Sequence, residues 1–103
     1  MMTVIRHVTV HVVIVGRVQG VGFRAFVEDE ALRRGVGGWV RNRRNGSVEV
    51  VLAGEEQVVA AVIEACMKGP PGARVEALHQ RDGAAEDLAP VRAGERFSML
   101  PTL

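Results

Sequence analysis

An arginine sits at the start of what reads as a helix, directly behind a glycine-punctuated loop: Gly16-Arg17-Val18-Gln19-Gly20-Val21-Gly22-Phe23-Arg24. Glycines at 16, 20 and 22 let a backbone curl so that successive N–H groups point inward. The helix that follows adds its unpaired first-turn N–H groups and the positive end of its dipole. A basic side chain in a first helical turn is unfavourable by roughly a few tenths to 1 kcal/mol, so Arg24 is out of place unless an anion lies between it and the helix end. Its planar guanidinium holds two phosphoryl or carboxylate oxygens at once, leaving the loop amides for the others. The spacing is neither the dinucleotide pattern Gly-x-Gly-x-x-Gly nor a Walker loop, because no Gly-Lys-Ser/Thr follows and Lys68 is the only lysine. Taken alone the loop indicates an anion and nothing narrower. A tight strand-to-helix turn with a solvated arginine is the competing explanation.

The elements that must position this loop follow from hydrophobic periodicity. Val8, Val10, Val12 and Ile14 alternate along a first strand, with His7, Thr9 and His11 on its other face. Phe23, Phe26, Val27 and Ala31 recur at helical spacing, while Asp29–Arg33 and Glu30–Arg34 form i,i+4 pairs expected on the solvent side, and Gly35 ends the helix. Two strands, Val36 to Asn42 and Ser47 to Ala53, are joined through Arg43-Arg44-Asn45-Gly46, where Asn-Gly signals a hairpin. A second helix carries Val59, Val62, Ile63, Cys66 and Met67 as its apolar stripe and stops at Gly69-Pro70-Pro71-Gly72. A fourth strand is expected from Arg74 to Arg81, a polar loop from Asp82 to Glu95, and a short last strand from Phe97 to Leu100. The order βαββαβ, with one apolar stripe per helix, predicts a two-layer α/β (α+β) sandwich of the ferredoxin-like type: an antiparallel sheet with two helices on one face. All of residues 1–103 are expected to form a single domain.

Strand alternation singles out a second residue. Asn42 shares a face with Val36, Gly38 and Val40, so a carboxamide stands where the pattern asks for an apolar side chain. Such a group needs a partner. Being neutral, it accepts a hydrogen bond from water while donating to a phosphoryl oxygen, which suits the positioning of a nucleophile.

Composition removes several function classes. With 13 basic and 12 acidic side chains the net charge is +1, so no general attraction to nucleic acid is expected. One cysteine excludes a disulfide framework and a cysteine-rich zinc site. The apolar run Val8 to Val15 is too short to span a bilayer and is interrupted by His11, so a cytoplasmic protein without membrane contact is expected, and a monomer because no apolar stripe is left over.

The combination of Gly16 to Arg24, Gly38-Trp39-Val40-Arg41-Asn42, Asn45-Gly46-Ser47-Val48-Glu49 and Gly69-Pro70-Pro71 resembles the acylphosphatase family, over about Thr9 to Arg81. The resemblance implies the βαββαβ fold and cofactor-free hydrolysis of carboxyl-phosphate anhydrides, small-molecule acyl phosphates, to a carboxylate and inorganic phosphate. It implies that Arg24 binds the phosphoryl group with the amides of Gln19, Gly20, Val21, Gly22 and Phe23, and that Asn42 orients the attacking water. Inorganic phosphate or sulfate is then expected to inhibit. The segment Ser98-Met99-Leu100-Pro101 departs from the charged, aromatic ending associated with the family.

The physics runs the same way. Positioning and charge stabilisation carry most of phosphoryl transfer, an acyl phosphate has a good leaving group, and no carboxylate cluster near the loop is available to hold magnesium. His7, His11 and His79 lack the further ligands of a metal set and are expected to be exposed strand histidines. Trp39 is expected to pack, and Arg41, Arg43 and Arg44 to form a solvated turn or a patch that steers anions. Two rival classes are an RNA-binding module of the same topology and a domain that senses a phosphorylated ligand without turnover. The first lacks stacking aromatics on its central strands, where Val48-Glu49-Val50-Val51 stand. The second shares the cradle, and only Asn42 speaks against it.

Overall fold

The computed structural model describes residues 4–103. Its elements are β1 (His7–Arg17), α1 (Phe23–Arg34), β2 (Gly37–Asn42), β3 (Val48–Glu55), α2 (Glu56–Lys68), β4 (Arg74–Asp82), a 3₁₀ turn (Ala85–Leu88) and β5 (Phe97–Met99). The five strands lie in the order β4-β1-β3-β2-β5. The first four are antiparallel, as expected from the hairpin and the crossovers. β5 departs from that rule and runs parallel to β2. The chain leaves β4 and enters β5 at the same end of the sheet, which sets β5 against β4 and therefore along β2.

Both helices pack on one face. Val12 and Ile14 of β1, Val40 of β2 and Val48, Val50 and Leu52 of β3 meet Phe23, Val27 and Ala31 of α1 and Val59, Val62, Ile63 and Cys66 of α2. Burial, reinforced by the charge of Glu30, pushes the Cys66 thiol up to about 12, so it stays protonated and inert near neutrality. Two expectations for the helices are corrected. Met67 is exposed, because α2 turns it beyond the stripe. Glu30 is buried rather than on the solvent side: it lies towards α2, and Arg33 and Arg34 reach back to its two oxygens at 2.6 and 3.2 Å. The Asp29–Arg33 pair is exposed as expected.

The other sheet face is not left open. The Asp82 to Glu95 connection, expected to be a polar loop, lays Leu88 and Val91 over Trp39, Val51 and Leu100. The indole Nε1 of Trp39 donates to the Asp87 carbonyl at 2.6 Å, and the Arg41 guanidinium lies 4.7 Å from the ring centroid. On the same face Glu49 gathers three groups: His11 Nε2 at 2.7 Å on one oxygen, and Arg41 Nε at 2.7 Å and Arg43 Nη1 at 3.3 Å on the other. Two of the three arginines expected in a solvated patch are therefore paired to Glu49, and His11 is half-buried rather than exposed. His7 and His79 are exposed as expected.

Gly38 illustrates a close approach that no other residue allows. At φ 132° its position for a Cβ lies 1.8 Å from the Val51 carbonyl oxygen across the ladder. Gly46, in the β2–β3 turn at φ 94°, has nothing within 4 Å of such an atom. Gly38→Ala is expected to destabilise the protein by more than the ~1–3 kcal/mol of backbone strain alone, because a backbone clash adds to it. Gly46→Ala carries only the strain, about 1–2 kcal/mol. Urea unfolding of the two variants checks the order, and equal losses would contradict it.

Burial acts to raise Glu49, but hydrogen bonds from His11 and Arg41 and the charges of Arg41 and Arg43 together hold its carboxyl below the ordinary carboxylate value of 4.5. A carboxyl depressed in the folded state stabilises it fully above the unfolded value and loses that stabilisation as pH falls through the folded one. Unfolding midpoints measured from pH 7 downward are expected to drop below about pH 4.5 less steeply in Glu49→Gln than in the parent chain.

Candidate active site

The loop between β1 and α1 is held open by two glycines in the left-handed region, Gly20 at φ 75° and Gly22 at φ 78°. A Cβ at either position would meet nothing within 4 Å, so backbone conformation and not crowding demands glycine there. Gly16, read from the sequence as part of the curl, belongs instead to β1. It sits at a register shift against β4, where a Cβ would fall 2.2 Å from the Arg74 carbonyl oxygen. Its requirement is close strand packing at a bulge.

Gly22 caps α1 with no side-chain hydrogen bond, and no acidic residue occupies the first turn. Among the described residues no hydrogen bond engages the backbone N–H groups of residues 20 to 25; the first one formed is from Phe26 N–H to the Gly22 carbonyl at 3.0 Å. Six donors at the helix end therefore keep their capacity free. Val18 is fully buried and anchors the loop from below.

Arg24, Asn42 and this loop line one cavity of about 170 Å³, together with Val18, Phe23, Ala25 and Met99. Arg24 is half-buried, and its Nη1 donates to the Leu100 carbonyl at 3.4 Å. Asn42 closes β2 with its side chain on the helix-facing side, in the row of Val40, as alternation requires. Its Oδ1 is buried and has no hydrogen-bond partner. An unsatisfied buried acceptor costs about 1–3 kcal/mol, which a donor entering the cavity would remove. No carboxylate lines the cavity. Among the described residues no three His, Cys, Asp or Glu side chains come together as a metal set.

Gln19 has a place that its sequence position does not disclose. Its Nε2 donates to the carbonyls of Arg43 at 2.7 Å and Ser47 at 2.8 Å, tying the loop to the β2–β3 turn. That turn is fixed in its own right by Asn45 Oδ1, which accepts from the Ser47 N–H at 3.0 Å and the Ser47 hydroxyl at 2.6 Å. The Nε2 of Gln19 is thus committed to the turn, while its main-chain N–H has no partner among the described residues. Val21 packs against the core. Met99 escaped sequence reasoning because its place beside the cavity depends on the parallel addition of β5 to β2, for which a sequence carries no local signal.

A guanidinium, main-chain amides without hydrogen-bond partners and a carboxamide with a free acceptor meet at one small cavity, an arrangement chemically suited to an oxyanion. A family model for acylphosphatases matches residues 10–93. A curated acylphosphatase of Rhodopseudomonas palustris (strain BisB18) is 52% identical over 103 residues, 100% of each chain. One of Nitrobacter winogradskyi is 55% identical over 92 residues, spanning 89% of this chain and 93% of its own. The crystal structure of acylphosphatase from Bacillus subtilis superposes with a TM-score of 0.79 at 34% identity, covering 90% of this chain and 98% of that one. On a family model that matches most of its length and on relatives more than half identical to it, the chain belongs to the acylphosphatase family.

Proposed function

We propose that this protein hydrolyses small-molecule acyl phosphates to a carboxylate and inorganic phosphate by in-line attack of water at phosphorus, with no metal ion. The observation that carries the reading is the meeting of three features at one cavity: a loop and helix start whose N–H groups from residue 20 to 25 are unpaired, a first-turn arginine, and the buried unpartnered Oδ1 of Asn42. Arg24 and the main-chain donors of Gln19, Gly20, Val21, Gly22 and Phe23 hold the equatorial phosphoryl oxygens. Their preorganised dipoles stabilise charge that develops there as the bond to the carboxylate breaks. Asn42 accepts a hydrogen bond from the attacking water and aligns it opposite the leaving group. The carboxylate leaves without a general acid, and the proton lost by the water goes to a phosphoryl oxygen of the substrate. Since no histidine or carboxylate lines the cavity, the substrate is the nearest base. The whole chain acts as one monomeric cytoplasmic domain in this reading.

Arg24→Ala is expected to lower kcat/KM by about 10²–10³, the loss typical of one oxyanion donor, and to weaken inhibition by inorganic phosphate. Arg24→Lys restores little, because an ammonium cannot hold two oxygens in parallel. Asn42→Ala is expected to lower kcat strongly while the phosphate inhibition constant stays within about three-fold, since the amide acts mainly as the water attacks. Steady-state hydrolysis of a model acyl phosphate measures both. Equal weakening of phosphate binding in the two variants would refute the division of labour.

Turnover is expected to survive EDTA, with inorganic phosphate and sulfate as competitive inhibitors. Activity lost to the chelator and restored by magnesium would overturn the metal-free mechanism.

A further inference from the structure

We infer that Glu49, on the sheet face opposite the cavity, is a positioning residue for the hydrolysis and acts through the backbone on either side of Asn42. The inference rests on the role proposed above for Asn42. Side chains alternate along β2, so Arg41 and Arg43 point away from the cavity while Asn42, between them, points into it. Both arginines end on the same carboxylate oxygen of Glu49, at 2.7 and 3.3 Å. The other oxygen takes His11 of β1 at 2.7 Å. Side-chain exposures of 14% for His11, 15% for Glu49 and 18% for Arg41 place these contacts largely out of solvent, where ionic hydrogen bonds are least screened.

The geometry matters because Asn42 lies where the ladder ends. Its last cross-strand partner is Val48, and the next residues are already turn. Main-chain bonds from Arg43 N–H to the Ser47 carbonyl at 2.8 Å and from Leu103 N–H to the Asn42 carbonyl at 3.1 Å fix the backbone position. Side chains on the reverse face limit the roll about the strand axis that these bonds still allow. Glu49 sets that roll by pinning the residues before and after Asn42 to β3 and, through His11, to β1. A rotation of the strand end displaces the Asn42 amide by an amount that aligned attack cannot tolerate. The phosphate-binding loop is less exposed to such a change, since Gln19 is hooked to the Ser47 carbonyl as well as to that of Arg43.

Glu49→Gln keeps size and removes the charge that gathers the two arginines and His11. It is expected to lower kcat about ten-fold while the inhibition constant for inorganic phosphate stays within about three-fold. In the double variant with Asn42→Ala the further loss should be less than about two-fold, because a strand end without its amide has nothing left to aim. Wild-type turnover in Glu49→Gln, or phosphate binding weakened as much as kcat, overturns the inference. So do multiplicative losses in the double variant when Asn42→Ala is itself slow, which leaves the role of Asn42 standing. Wild-type turnover in Asn42→Ala removes that role and the inference together. Should Glu49→Gln fail to fold, Arg41→Gln, which leaves Glu49 paired to His11 and Arg43, must show the same coupling to Asn42→Ala; additivity there is equally decisive against it.

Discussion

A loop whose main-chain N–H groups have no partners cannot hold itself together. The N–H groups that would stabilise it by pairing internally do not pair: those of residues 20 to 25 form no hydrogen bond among the described residues. Every other support of the loop is therefore borrowed. Val18 plugs it into the core, Gln19 ties it to the β2–β3 turn, and Phe23 sinks the first turn of α1 between the layers. Arg24 is braced from the far side by the Leu100 carbonyl just beyond β5. The fold around the cavity is thus scaffolding for donors that are not permitted to satisfy one another, and the left-handed glycines keep that arrangement accessible to the main chain.

The same logic extends through the sheet. One face of β2 presents Val40 and Asn42 to the helices, while the other presents Trp39 and Arg41 to the layer made by the Asp82 to Glu95 connection. The end of β2 that carries Asn42 is also anchored on its reverse side. There the half-buried Glu49 group does what hydrophobic contact cannot, because it joins three elements through directional, charge-assisted bonds.

Local signals made much of this readable in the sequence. The glycine spacing and the misplaced charge of Arg24 marked the loop, alternation put Asn42 on the cavity side, and helical periodicity found the buried stripes apart from Met67. What stayed hidden depends on pairing between distant segments. Gly16 looks like its loop neighbours until β4 lies beside it. Glu30 reads as a surface residue until α2 covers it, and His11 reads as a strand histidine until the β1–β3 register brings Glu49 diagonally opposite. The parallel docking of β5, and with it Met99 at the cavity, follows from where a long connection crosses the sheet. Short-range pattern does not encode such a crossing.

Trp39 is the only tryptophan, and the chain contains no tyrosine. Its indole is buried, hydrogen-bonded to the Asp87 carbonyl and stacked beneath Arg41, on the strand whose end carries Asn42. With excitation beyond the absorption of the three phenylalanines, emission from this protein consequently originates at one point, in the seam between the sheet and the segment that covers its second face. The protein carries a native optical gauge of that seam: peeling the Ala85–Leu88 turn away wets the ring and shifts its spectrum even while the helices and the backbone circular dichroism remain unchanged.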